Sequence, residues 1–155
     1  MKANNVLVLL LLSLLALAQG CKQCTSVQPD PPAPVVFYFV DQQGQSLTSL
    51  QNPILHPDSI RFTLEHEPFD YLFKTPDESL NTVLYETYPV LYTKSTVNLL
   101  IHYSKEDTDT LTVGYKVNKQ ECYTDFTYTS YRFNGEEVRP IPGSGYLKLV
   151  KHTGS

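Results

Sequence analysis

Beyond residue 34 the chain is built from short runs in which apolar and polar residues alternate, and this constrains its fold more than any other feature. Ser59–Glu67 (SIRFTLEHE) places Ile60, Phe62, Leu64 and His66 on one face of an extended chain, with Arg61, Thr63, Glu65 and Glu67 on the other. Thr96–Ser104 points Val97, Leu99, Ile101 and Tyr103 one way, and Thr110–Val117 does the same with Leu111, Val113, Tyr115 and Val117. The polar Lys105–Asp109 lies between them, so residues 96–104 and 109–117 are expected to pair as an antiparallel hairpin with Leu99, Ile101, Leu111 and Val113 buried. Val35–Val40 (VVFYFV) is apolar on both faces, which suits a strand covered on two sides. Asp41–Gln45 reads as a turn. Thr124–Phe133 runs into Asn134-Gly135, a strong hairpin signal because both turn positions need positive φ. Its apolar phase slips between Tyr128 and Tyr131, which predicts a bulge. Tyr146–Lys151 reads as a last strand.

The least regular stretch is Pro68–Lys94, broken by Pro68, Pro76 and Pro89, with short strands possible at Asn81–Tyr85 and Val90–Tyr92. No amphipathic helix of useful length is present. Frequent strands between turn signals predict an all-β antiparallel β-sandwich, immunoglobulin-like, of about seven to eight strands.

The first twenty residues have a different chemistry. Lys2 is followed by Val6–Ala18, apolar apart from Ser13. As a helix that run rises only about 20 Å, short of the ~30 Å hydrocarbon core, and it fits the core of a signal peptide. Two cleavage readings compete. Ala16-Leu17-Ala18 suits ordinary signal peptidase and would leave Gln19 first, giving a secreted or periplasmic protein. Ala18-Gln19-Gly20-Cys21 resembles the bacterial lipoprotein box, in which the cysteine receives a diacylglycerol. The favoured division is a signal peptide at 1–20, a lipid-anchor cysteine with a Pro-rich tether at 21–34, and a sandwich domain at 35–155. Four prolines (Pro29, Pro31, Pro32, Pro34) give the tether an extended path that spaces a domain from the lipid surface.

The cysteine count favours the lipid reading. There are three, Cys21, Cys24 and Cys122, and an odd number in an exported chain asks for an explanation. With Cys21 acylated, Cys24 and Cys122 remain as an even pair that a disulfide can join. Alternatively, Cys24 lies in the tether and Cys122 is a small buried hydrophobe. Removal of residues 1–20 takes away one lysine and no acid, so eleven basic against sixteen acidic residues leave a net charge of −5. No basic run exists to form a nucleic-acid surface, so no nucleic-acid partner is expected.

Several segments look familiar together. Phe37–Leu47 (FYFVDQQGQSL) is similar to the first strand and turn of small Bacteroidota-type lipoproteins, where a strand ends in Asp-x-x-Gly-x-x-Leu. Pro57–Ile60, Asp107–Val113 and Phe133–Val138 resemble the same group. That resemblance implies an envelope address, with the outer membrane expected, and an immunoglobulin-like sandwich. It implies no activity, because the group is largely uncharacterised.

No catalytic motif is present. There is no Gly-x-Ser-x-Gly and no cysteine–histidine grouping. Four histidines fall without metal-ligand spacing, and neither metal nor cofactor is expected. Glu65 and Glu67 share a strand face, as many structural acids do. Glu106, Asp107 and Asp109 read as a solvated hairpin tip. The aromatics say more: eleven tyrosines and seven phenylalanines without a tryptophan. Phe69, Tyr71, Tyr85, Tyr88 and Tyr92 concentrate in the irregular stretch, where no alternation demands burial, and they are the candidate partner contacts. The expected protein is a lipid-anchored, non-catalytic binding or structural module, joined to the membrane by its lipid and facing an envelope protein or glycan. The alternatives are a carbohydrate-binding accessory lipoprotein, or a small envelope enzyme or inhibitor.

Overall fold

The computed structural model describes residues 33–69, 71–91, 93–119 and 123–152. Cys21, Cys24, Cys122 and Tyr92 lie outside them, as do residues 1–20 and most of 21–34. The described residues form ten strands: β1 (Val35–Val40), β2 (Arg61–Leu64), β3 (Glu67–Pro68), β4 (Leu72–Asp77), β5 (Thr82–Thr87), β6 (Thr96–His102), β7 (Thr108–Lys119), β8 (Thr124–Phe133), β9 (Glu136–Glu137) and β10 (Leu147–Val150). A single 3₁₀ turn at Pro57–Ser59 precedes β2. Among the described residues no helix is long and apolar enough to cross a membrane.

Two sheets result, ordered β10-β1-β5-β4 and β3-β2-β6-β7-β8-β9. All pairings are antiparallel except that of β1 with β10. The molecule is an all-β, sandwich-like fold. Phe37, Phe39, Tyr85 and Leu149 of the first sheet share one buried cluster with Leu64, Leu99, Ile101, Leu111 and Val113 of the second. Aromatic contacts cross the interface: Phe62 lies 5.5 Å from Tyr85 and 6.2 Å from Phe37 between ring centroids.

The expected hairpin of β6 and β7 forms with Leu99 opposite Leu111, and Val97, Leu99, Ile101, Leu111 and Val113 are buried. The expected bulge also occurs. Gly114 pairs with Ser130 and Tyr115 with Tyr128, leaving Thr129 as the extra residue. A Cβ on Gly114 would run into Ser130 Oγ, so the close approach of the two strands there uses the missing side chain. Asn134 and Gly135 both take positive φ in the turn before β9.

Two expectations need correction. Alternation carried the second strand to Glu67, with His66 on the apolar face. The strand instead stops at Leu64, because Glu65 (φ 51°) and His66 (φ 78°) turn the chain into the short β3. Glutamate gives no warning of positive φ, and histidine, though enriched there, gives far less than an Asn-Gly pair. The held conformation has its own ties: the Glu65 N–H donates to the Asn98 carbonyl, and its Oε1 accepts from the Asn98 N–H at 2.8 Å. The stretch 68–94 is not mainly irregular either. It holds the β4–β5 hairpin, hidden from the sequence because β4 is an edge strand whose residues are mostly exposed and include Pro76.

Candidate functional site

The alternation of β4 decides where its side chains go. Leu72 packs against the central cluster, while Phe73, opposite Glu86, faces away and stays 57% exposed. Tyr71, just ahead of the strand, is 71% exposed, and its ring lies 6.2 Å from that of half-buried Phe69. The segment is pinned from both ends. Thr87 Oγ1 donates to the Tyr71 carbonyl at 3.0 Å, and Lys74 Nζ donates to Asp58 Oδ1 and the Pro57 carbonyl at 2.9 Å each. β4 pairs only with β5, so its outer backbone edge has no strand partner among the described residues. The result is an open strand edge flanked by exposed aromatic rings on a fixed backbone.

The predicted aromatic contacts separate. Tyr71 is exposed and Phe69 partly so. Tyr88 is half-buried, its hydroxyl 3.4 Å from Glu86 Oε1. Tyr85 is a correction: it is fully buried, stacked on Phe37 at 5.7 Å, and cannot touch a partner. It belongs to β5, a central strand flanked by β1 and β4, and its inward position was invisible without the hairpin. Burial pushes its phenol far above the ordinary value, and its hydroxyl has no partner in good hydrogen-bonding geometry. Phe73, which the sequence reading passed over, is the most exposed phenylalanine beside Tyr71. Its signal was the run Tyr71-Leu72-Phe73, once that run is recognised as an edge strand.

A concave surface lies where β9 leaves β8. It is a groove of about 750 Å³ with Tyr128, Tyr131, Arg132 and Val138 among its walls. Burial raises the phenols of Tyr128 and Tyr131, and the neighbouring tyrosines add to the effect at Tyr128. Arg139 at its rim is tied to Glu137 at 2.8 Å.

The acidic tip also departs from expectation. Asp107 and Asp109 are not both solvated, because Lys151 reaches them from the end of β10. Its Nζ lies 2.7 Å from Asp107 Oδ1 and 3.1 Å from Asp109 Oδ2. The Tyr103 ring covers the ammonium at 3.9 Å from its centroid. Burial first, and then the carboxylates of Asp109 and Asp107, push the Tyr103 phenol well up. The sequence showed the acids but not the lysine, which arrives from far along the chain.

His102 forms a polar rung, with Nε2 3.0 Å from Thr63 Oγ1 and Nδ1 2.9 Å from Thr108 Oγ1. It thereby ties β2, β6 and β7 together. Histidine there serves the sheet.

Fold and site together define an all-β domain with an aromatic edge strand. No family model matches the chain, and neither a curated protein nor a solved structure is significantly similar to it.

Proposed function

We propose that this chain is a lipid-tethered cell-envelope module that docks on another envelope protein through the edge of β4. The observation that carries the reading is the exposure of Tyr71 and Phe73 beside a strand edge that has no partner among the described residues. Exposed apolar residues on an open edge are a hazard that proteins usually cover or charge. Retained together, they suit a partner that adds a strand, with main-chain bonds supplying affinity and side-chain contacts supplying choice. The tether reading rests on the apolar leader and on Cys21 after Gly20, with the Pro-rich spacer holding the domain away from lipid.

Two substitutions test it. Cys21→Ser should move the protein from the membrane fraction to the soluble one, since no second apolar run can replace the acyl chains. Unchanged partitioning, or a mature chain beginning at Gln19, contradicts the tether. Phe73→Ala should weaken capture of envelope proteins by the immobilised domain roughly tenfold or more, the scale of a binding hot spot. Its thermal midpoint should stay close to the parent's.

A second reading has one observation in its favour. The groove beside β8 combines Tyr131, Arg132 and the threonines Thr96 and Thr112 in a volume suited to a small ligand. A glycan partner would respond to Tyr131→Ala and ignore Phe73→Ala.

A further inference from the structure

Lys151 closes the two sheets on each other. It follows β10 of the four-stranded sheet, and its side chain, only 8% exposed, enters a pocket at the start of β7 in the six-stranded sheet. There it meets two carboxylates of different standing. Asp109 is 12% exposed, whereas Asp107 is 47% exposed. The remaining oxygen of Asp109, Oδ1, accepts a hydrogen bond from Asn134 Nδ2 at 2.9 Å. Asn134 is itself fixed by its turn and by the Thr110 N–H, which donates to Asn134 Oδ1 at 2.9 Å. The Tyr103 ring forms the wall over the lysine, backed edge-on by Phe39 at 5.5 Å.

We propose that Lys151 and Asp109 become joined by an amide bond that the folded protein forms itself. The arrangement holds a nucleophile against a carboxyl group, away from bulk water, with a donor already on the oxygen that must bear charge. A second carboxylate, Asp107, touches the same nitrogen. Such fixed proximity replaces the entropy cost of bringing two reactants together. Burial supplies the direction, because a desolvated ion pair is costly to maintain and an amide carries no charge.

The step balances without any co-reactant. Asp107 first relays one proton from the Lys151 ammonium to Asp109 Oδ2, so that the freed nitrogen lone pair attacks the Cγ of a neutral carboxylic acid. The new C–N bond places negative charge on Oδ1, where the Asn134 amide stabilises it. Two protons in all leave the nitrogen through Asp107 for Oδ2, the C–Oδ2 bond breaks, and water departs. Asp107 ends as it began. Ammonium and carboxylate become amide and water, with no change of oxidation state. The bond would tie the last strand, and through its parallel pairing β1, to the opposite sheet.

Peptide mapping by mass spectrometry tests the bond. The full chain, expressed with its export leader and purified folded, is denatured, digested with chymotrypsin and sequenced by fragmentation. The expected result is a branched peptide joining the Lys151 segment to the Asp109 segment, lighter by one water than the two combined. Lys151→Arg, which keeps the charge, should yield the two segments separately. Asp107→Asn should slow formation of the branch by about 100-fold, a usual loss for a proton-transfer group. Intact, unmodified Lys151 and Asp109 peptides from the parent overturn the proposal. So does a loss of water without a branch, which is an aspartyl succinimide, and so does a branch ending on Asp107. The parent's map decides the bond whether or not a variant folds.

Discussion

Tyr71 and Tyr85 have opposite surroundings although both lie in the same proline-punctuated stretch. Tyr71 stands in solvent beside Phe69, while Tyr85 lies between Phe37, Phe39 and Phe62 with its hydroxyl lacking a well-placed partner. An unpaired buried hydroxyl opposes folding by its desolvation, about 1–3 kcal/mol, and an isosteric ring without it escapes that cost. Tyr85→Phe is therefore expected to hold or raise stability in urea. Tyr85→Ala should lower it by roughly 3–5 kcal/mol through the cavity it leaves. A marked loss in Tyr85→Phe would mean that the hydroxyl is satisfied in solution. The contrast also marks a limit of sequence reading. The absence of an alternating run does not leave an aromatic residue free for contact, because a central strand between breakers buries its inward ring as firmly as any other.

Among the elements, the β2–β3 turn carries the clearest electrostatic consequence. The Glu65 carboxylate is held below its usual range first by the Asn98 N–H and then by Lys94, whose Nζ is 3.2 Å from Oε2. A depressed acid adds stability above its unfolded pKa of about 4.3, and that contribution disappears as pH falls through the folded value. Between roughly pH 5 and 3, the parent should lose more stability than Glu65→Gln, measured by urea unfolding at each pH. Equal losses would contradict the contribution assigned to this turn. The hairpin of β6 and β7 was legible because each residue agreed with its period: Leu99 and Ile101 inward, Asn98 outward. The turn at Glu65 and His66 was not, since glutamate does not announce positive φ and a lone histidine, though enriched there, signals it only weakly. Strand β4 was missed for a related reason. An edge strand with an unpaired side is not required to alternate cleanly, and Pro76 is tolerated there where a central strand would reject it.

At the scale of the whole molecule, the two sheets meet through a continuous apolar cluster and are fastened at one end by Lys151 between Asp107 and Asp109. That contact had no sequence signature, because it joins side chains far apart along the chain. The apolar run at residues 6–18 and Cys21 are readable in the sequence directly, whereas the proposed docking surface needs the edge position of β4. The rigid sandwich fixes that edge, so binding should depend on Tyr71 and Phe73 and leave the remaining surface free. Photo-crosslinking in intact cells tests this most directly, with a photoreactive phenylalanine analogue placed at position 73 or at exposed Thr127 on β8. The account predicts discrete adducts with an envelope protein from position 73 and none from position 127. Adducts from both positions alike, or from position 127 alone, would contradict docking through β4.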